Sequence, residues 1–307
     1  MHSFRTDGEA IVLSPRRRRH SGVTTQKVGL VYIAPPLALF VFGILVPLGY
    51  GAYISLWRWD GITQATFVGF DNYLDAVTDP LVLQAFAHSF FLVAFYSAIP
   101  ICLGLVLTGV IARYPLRFTG TWRVLLFLPQ VLSIVVVGVA WQWLLAADGP
   151  VNQLLRLVGL GGLTRVWLGD FVWALPAQGA IGAWLMSGLC MVLFLSAAQN
   201  IDHELYDAAA VDGAGPVREF FAVTVPSLRR VIVVAAVLTF TVSLNNFGLI
   251  WVTTRGGPGG ATQVVATLVY ERAFVVTQLG SASALALLLG LIVMAISLGI
   301  TRISRED

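Results

Sequence analysis

Six stretches of this chain contain no Asp, Glu, Lys or Arg, and each is long enough to cross a bilayer: 28–57, 81–112, 124–147, 171–201, 231–254 and 273–301. A hydrocarbon core is spanned by about 20 apolar residues in helical form. Inside lipid every backbone N–H and C=O must find a partner within the protein, so only helices and closed barrels cross. The six runs lack the alternation of barrel strands. The sequence therefore specifies an all-α integral membrane protein with six transmembrane helices. Composition points the same way: 57% of the 307 residues are hydrophobic and 11% are charged. An ordinary soluble domain carries about a quarter charged residues. So few charges cannot cover a water-facing surface, which excludes disorder and nucleic-acid-binding modules. The first run is too long for a cleavable signal peptide, and Pro35, Pro36 and Pro47 interrupt it, so it reads as a retained first span.

Orientation follows from the basic residues. With the N-terminus inside, 14 of the 19 Lys and Arg face the cytoplasm. The outer loops keep only Arg58, Arg156, Arg165, Arg255 and Arg272. That bias places both termini in the cytoplasm. The organisation expected is a basic cytoplasmic tail at 1–27, a six-span membrane domain at 28–302 and a short cytoplasmic tail at 303–307. One polar loop, 202–228, lies between spans four and five.

Most catalytic chemistry is excluded by counting. Cys102 and Cys190 both sit in apolar runs and build neither a disulfide framework nor a zinc spacing. The single lysine, Lys27, precedes Val28, so no Gly-Lys-Ser/Thr phosphate loop exists. If ATP drives this protein, another chain binds it. His203 to Asp207 misses the zinc-protease pattern, because Asp stands where the second His belongs. His88, near one end of span two, reads as structural rather than as a proton relay. The Gly256–Gly260 run lacks a phosphate-loop Lys and reads as a turn.

The loop between spans four and five carries the strongest signal. Glu204 to Asp212 is compatible with a helix that starts with acidic residues. Gly213 and Gly215 can end it, and Pro216 suits the first turn of the next helix. Ala208, Ala209 and Ala210 give the first helix almost no bulk, flanked by Asp207 and Asp212. Such a helix can enter a cleft on another protein; it can equally be a solvated link. In span five, Thr239, Ser243 and Asn246 share a helical face, with Asn245 beside them. Their hydroxyls and amides can pair with sugar hydroxyls without any charge, or can bond neighbouring helices together.

At these residues the chain resembles the permeases of ATP-binding-cassette (ABC) importers. Asp207-Ala208-Ala209, Gly213 and Val223-x-Val225-Pro226 keep every spacing of their EAA signature, Glu-Ala-Ala, three residues, Gly, nine residues, Ile-x-Leu-Pro. Asp replaces Glu, and Val replaces Ile and Leu. Val68 to Tyr73, Leu128-Pro129, Gly149 to Asn152, Asn245 to Phe247, Thr254 to Pro258 and Tyr270 to Phe274 resemble the carbohydrate-uptake, MalF-type group. The large outer insertion and extra N-terminal spans of the maltose subunit are missing here.

The resemblance implies a type I ABC importer permease fold in a bacterial inner membrane, and a non-enzymatic transport subunit. It implies a second permease chain, two copies of a nucleotide-binding ATPase subunit that hold ATP and Mg, and an extracytoplasmic sugar-binding protein or lipoprotein. This chain itself would bind no cofactor, and membrane lipid would be its other partner. Glu204, Asp207, Ala208, Ala209, Asp212, Gly213 and Pro226 would form the contact with the ATPase. Gln130, Trp184, Leu185, Met186, Thr239, Ser243, Asn245 and Asn246 would approach the substrate path. The implied cargo is a sugar of the di- or oligosaccharide class, with glycerol-phosphate or another small solute as the alternative. Met186 replaces a glycine of the maltose permease, so the pocket would differ in shape. A secondary transporter would need charged groups within its spans, and the span centres have none.

Overall fold

In the computed structural model the described residues are 32–113 and 119–303. The basic tail at 1–27 and residues 304–307 lie outside them. The chain divides into two compact units, Met1–Tyr50 and Gly51–Asp307. Helix α1 (Tyr32–Ile54) begins in the first and ends in the second. The second unit holds a small antiparallel ribbon, β1 (Trp57–Arg58) with β2 (Thr66–Phe67), followed by α2 (Asp71–Thr78). Then come α3 (Pro80–Ile111), α4 (Thr119–Val131), α5 (Ile134–Leu144), α6 (Pro150–Leu157) and α7 (Ala174–Ala198). The remaining elements are α8 (His203–Val211), α9 (Pro216–Glu219), α10 (Arg229–Thr253), α11 (Val265–Tyr270) and α12 (Leu279–Arg302). Among the described residues, α1, α3, α7, α10 and α12 are long and apolar enough to cross a membrane, and α5 is a shorter apolar helix.

Prolines shape these helices in three ways. Pro80 and Pro216 start helices, where no N–H is missed. Pro47, Pro100 and Pro226 each follow, by two residues, a wide π turn: Val41–Leu45, Ala94–Ala98 and Phe220–Thr224. A proline inside a helix lacks the N–H for its partner four residues back and its ring crowds that carbonyl. Widening the turn relieves the collision while the helix continues. Pro47 therefore does not interrupt the first span, contrary to the expectation from sequence. Pro129 acts differently. It sits in the last turn of α4, and the helix stops at Val131, so the single span expected over 124–147 is two helices, α4 and α5, separated by Leu132 and Ser133. Ser133, in extended backbone, opens α5.

The core is built on close approaches. In α7, a Cβ at Gly179 would lie 2.5 Å from Phe95 Cγ, and one at Gly182 would overlap the ring of Tyr96. The π turn of α3 thus seats two consecutive rings on two glycines of α7. Leu92, Tyr96, Ile181, Leu249 and Ile250 close one apolar cluster, and Val82, Ala85, Phe240, Leu244 and Leu285 another.

At the end remote from the 202–228 loop, buried polar side chains organise the connections. Asn72 donates to the carbonyls of Ser55 (2.8 Å) and Trp57 (3.0 Å), which fixes the ribbon against α2. Asn152, 1% exposed, donates to Ala146, Ala147 and Arg165 carbonyls and accepts from Trp167 Nε1 at 2.9 Å. Arg272 pairs with Asp79 and donates to Ser281 Oγ at 2.8 Å, joining the turn after α11 to the starts of α3 and α12. Asp170 accepts the Trp173 and Val172 N–H groups ahead of α7, and these bonds hold its carboxyl below the usual range. Replacement of Gly182 by alanine should cost about 1–3 kcal/mol, the usual penalty for overpacking a tight core. The change is read from the thermal unfolding midpoint in detergent. Gly290→Ala, where a Cβ meets nothing within 4 Å, should leave that midpoint unchanged.

Candidate functional site

Two features distinguish this unit from a plain helix bundle: a capped acidic helix at one end, and two interrupted spans whose breaks lie side by side.

The acidic helix is α8. Asp202 caps its start, accepting the Glu204 N–H at 3.1 Å. Its end is closed by paired bonds from Gly213 N to Ala210 O (3.0 Å) and from Ala214 N to Ala209 O (2.9 Å). This closure needs a left-handed residue, and Gly213 supplies it at φ +72°. The start, a residue earlier than Glu204, and the glycine stop match the sequence pattern closely. No residue of α8 is buried. Glu204, Asp207, Ala208 and Asp212 are exposed, Ala209 is half-buried, and Val211 is 88% exposed. Pro226 is exposed beside the π turn that precedes it. The result is a short, stiffly closed helix with acidic and apolar groups facing outward.

The breaks lie within the membrane-spanning part. In α10 the regular helix stops at Leu244, passes through Asn245, Asn246 and Phe247 without helical repeat, and resumes at Gly248. Ile134, the first residue after the break between α4 and α5, meets Gly248, the first residue after this one: a Cβ at Gly248 would lie 3.2 Å from Ile134 Cγ2. Further along, Gly138 faces Val252 (2.7 Å by the same construction), and Gln142 Nε2 donates to the Val252 and Thr253 carbonyls at 3.0 and 2.7 Å. The two post-break halves therefore pack as a pair. The sequence does not announce a break in span five, although its polar pattern singles out the two asparagines there.

Several of these polar residues already have helix partners. Thr239, 0% exposed, donates to Ala235 O at 2.8 Å, so Ser97, 2.7 Å away, donates to it. Asn246 Nδ2 donates to Tyr96 Oη at 2.7 Å. Both partners come from the π turn of α3. Ser243 is buried, and its Oγ has no partner among the described residues. Asn245 is exposed and donates to Thr241 O at 2.9 Å. Gln130 flanks the other break, with a buried Oε1 that has no partner among the described residues. Leu185 and Met186 are packed in the apolar core. Trp184 is 41% exposed, and its ring meets Trp141 edge-on at 5.5 Å. His88 bonds the Gln263 carbonyl at 2.9 Å, a structural contact.

Sequence reasoning misses Tyr96, Ser97, Trp141 and Gln178. Gln178 is fully buried, donates to Thr253 Oγ1, and leaves Oε1 without a partner among the described residues. Each is a polar or amphipathic residue inside a charge-free run, and that is the signal that could have found them.

Comparison with known proteins agrees with this architecture. Residues 100–305 match the family described as binding-protein-dependent transport system inner membrane component. The "Probable ABC transporter permease protein YurN" of Bacillus subtilis is 32% identical over 271 residues, 87% of this chain and 92% of that protein. The "Diacetylchitobiose uptake system permease protein NgcF" of Streptomyces coelicolor is 29% identical, over 91% of this chain and 82% of its own. Among solved structures, a chain of a bacterial alginate ABC transporter, in complex with its alginate pentasaccharide-bound periplasmic protein, has the same fold. Its TM-score is 0.78 at 20% identity, covering 93% of this chain and 96% of that one.

Tyr96→Phe and Asn246→Leu should each destabilise the bundle. Their double-mutant cycle should show a coupling of about 0.6–1.7 kcal/mol, the range for interhelical hydrogen bonds in membranes. Denaturant unfolding in mixed micelles measures it.

Proposed function

The chain belongs to the binding-protein-dependent transport system inner membrane components, and we propose that it is the permease subunit of an ATP-driven importer that carries a di- or oligosaccharide inward. The observation that carries this reading is α8: capped at both ends, rigid, acidic, and without a buried residue of its own. A helix of nine residues is marginal alone in water, so its exposed face calls for a protein partner. A separate nucleotide-binding ATPase subunit, holding ATP and Mg, is that partner in this reading. Asp207 anchors the contact by charge, and Glu204 and Asp212 support it. Ala208 and Ala209 let the helix enter a cleft, Gly213 sets the turn that ends it, and Pro226 follows the π turn beyond α9. A second permease chain and a second ATPase copy complete the assembly. The basic-residue bias supports a cytoplasmic position for this loop and for both termini, and hence the tails at 1–27 and 303–307 flanking a membrane domain at 28–302.

The substrate path in this reading runs past the paired breaks. Irregular backbone at membrane depth persists only where protein or a water-lined cavity surrounds it. Interrupted helices place free backbone groups and side-chain amides at the same level, which suits a neutral, hydroxyl-rich cargo. Asn245, Gln130 and Trp184 are the groups least committed to the bundle. Asn246 and Thr239 join when the bundle rearranges and releases Tyr96 and Ser97, and Ser243, buried with its Oγ unpaired among the described residues, becomes reachable in the same change. Leu185 and Met186 shape the wall. Sugar as the cargo class is supported by the relative named for diacetylchitobiose uptake and by the alginate transporter. The latter was solved with a sugar-loaded periplasmic protein, which supports an extracytoplasmic binding protein as the donor here.

The test is reconstitution of the chain with neighbouring permease, ATPase and binding-protein subunits, with ATP hydrolysis followed across a panel of sugars. One sugar-loaded binding protein should stimulate hydrolysis. Asp207→Arg should weaken ATPase-subunit association about tenfold or more, the scale for truncating a charge pair at an interface. Undiminished association would end the docking assignment. Asn245→Leu should lower uptake and leave ATPase association intact; unchanged uptake would remove it from the path.

A further inference from the structure

The connection between the 202–228 loop and the membrane helices is unexpectedly sparse. An open cleft of about 990 Å³ separates much of it from the helix ends, lined by Val106, Ala198, Gln199, Asp207 and Pro216 among others. Packing onto the bundle is left to the second half of the loop, where Val223, Thr224 and Leu228 are buried and Leu228 joins an apolar cluster flanked by Ile101 and Leu105 of α3. The chain itself joins α7 to α8, and α9 leads into α10 through Leu228, which is 1% exposed. No such covalent link leads to α3, which ends at the same side.

Two contacts matter here, one within the loop and one from the loop to the end of α3. Tyr206, on α8, places its hydroxyl 3.2 Å from Thr224 Oγ1, in the π turn after α9. Thr224 is 3% exposed, so this bond fastens the exposed helix to a buried point. Phe220, the first residue of the same π turn, lays its ring on Gly109 of α3. A Cβ at Gly109 would lie 2.6 Å from Phe220 Cδ2 and 2.9 Å from Cε2. One turn and a half further into the membrane, Gly104 brings α3 against α7, where a Cβ would lie 3.0 Å from the Cys190 Cβ and from the Met191 N.

We infer that Phe220 seated on Gly109 transmits displacement of the 202–228 loop to α3, and that the Tyr206–Thr224 bond makes the two arms of the loop move as one body. This rests on the reading of α8 as the ATPase contact. A push on α8 alone would otherwise be absorbed by its two hinges, at Asp202 and at Gly213–Gly215. With the bond in place the push reaches the π turn, then α3, and through Gly104 the neighbouring α7. Ser97 and Tyr96 lie further along α3, so the same displacement reaches their bonds to Thr239 and Asn246. Tyr206, Thr224, Phe220 and Gly109 are thus positioning residues that touch no cargo.

The experiment uses the reconstituted complex and reads three quantities: ATPase subunit retained on purification, thermal midpoint, and solute transported per ATP hydrolysed. Gly109→Ala should retain the ATPase subunit and lower transport per ATP by about two- to thirtyfold, the range for residues along a coupling route. Adding Phe220→Leu to Gly109→Ala, which clears space for the methyl, should restore the ratio. Tyr206→Phe, which removes a single oxygen, should lower the ratio, while Thr224→Ser, which keeps the hydroxyl, should not. Parental ratios in both Gly109→Ala and Tyr206→Phe would overturn the inference, as would a failure of Phe220→Leu to rescue. If Gly109→Ala does not assemble, the pair Tyr206→Phe and Thr224→Ser decides alone. Retention of the ATPase subunit by Asp207→Arg would instead overturn the docking reading, independently of these ratios.

Discussion

The need to pair every backbone hydrogen-bonding group out of water governs this protein. It forces helices through the membrane and makes each departure from a regular helix costly unless something compensates. The departures are correspondingly few and managed. Three prolines are accommodated by wide turns that keep the helix continuous. Where the chain does stop, at Leu132–Ser133 and at Asn245–Phe247, the two interruptions are neighbours and the halves beyond them pack on each other. Gln142 caps carbonyls at the far end of that pair. The bundle thus sets its two helix breaks side by side, which is where the proposed substrate path runs.

The same constraint accounts for the polar side chains of span five. A hydroxyl or amide inside a bundle needs a partner, and here α3 supplies two from consecutive residues of a single wide turn. Tyr96 and Ser97 would point to different faces of a regular helix, being about 100° apart. Both nonetheless reach α10 from the wide turn, Ser97 at Thr239 and Tyr96 at Asn246. On the proposed substrate path, transport and cohesion would draw on the same side chains. A bond that exchanges partners during a cycle suits this double use better than one fixed permanently, and interhelical bonds in membranes are weak enough to exchange.

The long helices are legible in the sequence because no water-exposed element goes more than twenty residues without a charge while staying this apolar. The α8 segment is legible because capping is local: Asp202, Gly213 and Pro216 act within a few residues of the ends they define. The break in span three is not. Pro129 announces a disturbance but not its kind, and other prolines in this chain are absorbed without interruption. Nor can the sequence show that Thr239 and Asn246 are held by residues 142 and 150 positions away. Their shared helical face is readable, the opposite partner is not. Asn152 illustrates a third case. The Gly149–Asn152 segment stands out by resemblance, yet its role as a hub for four carbonyl and side-chain partners depends on how a loop returns on itself.

The wide turns also set how this sequence can vary. A π turn holds one residue more than the α-helical path it replaces, so it behaves as an insertion stored within the helix. Deleting a single residue between Ala94 and Ala98 would restore regular winding there and leave the helical turns on either side facing as they do now. The change would fall on the turn itself, where Phe95, Tyr96 and Ser97 meet Gly179, Gly182 and α10. The same deletion in a regular stretch of helix would swing the whole remainder of the span by about 100°.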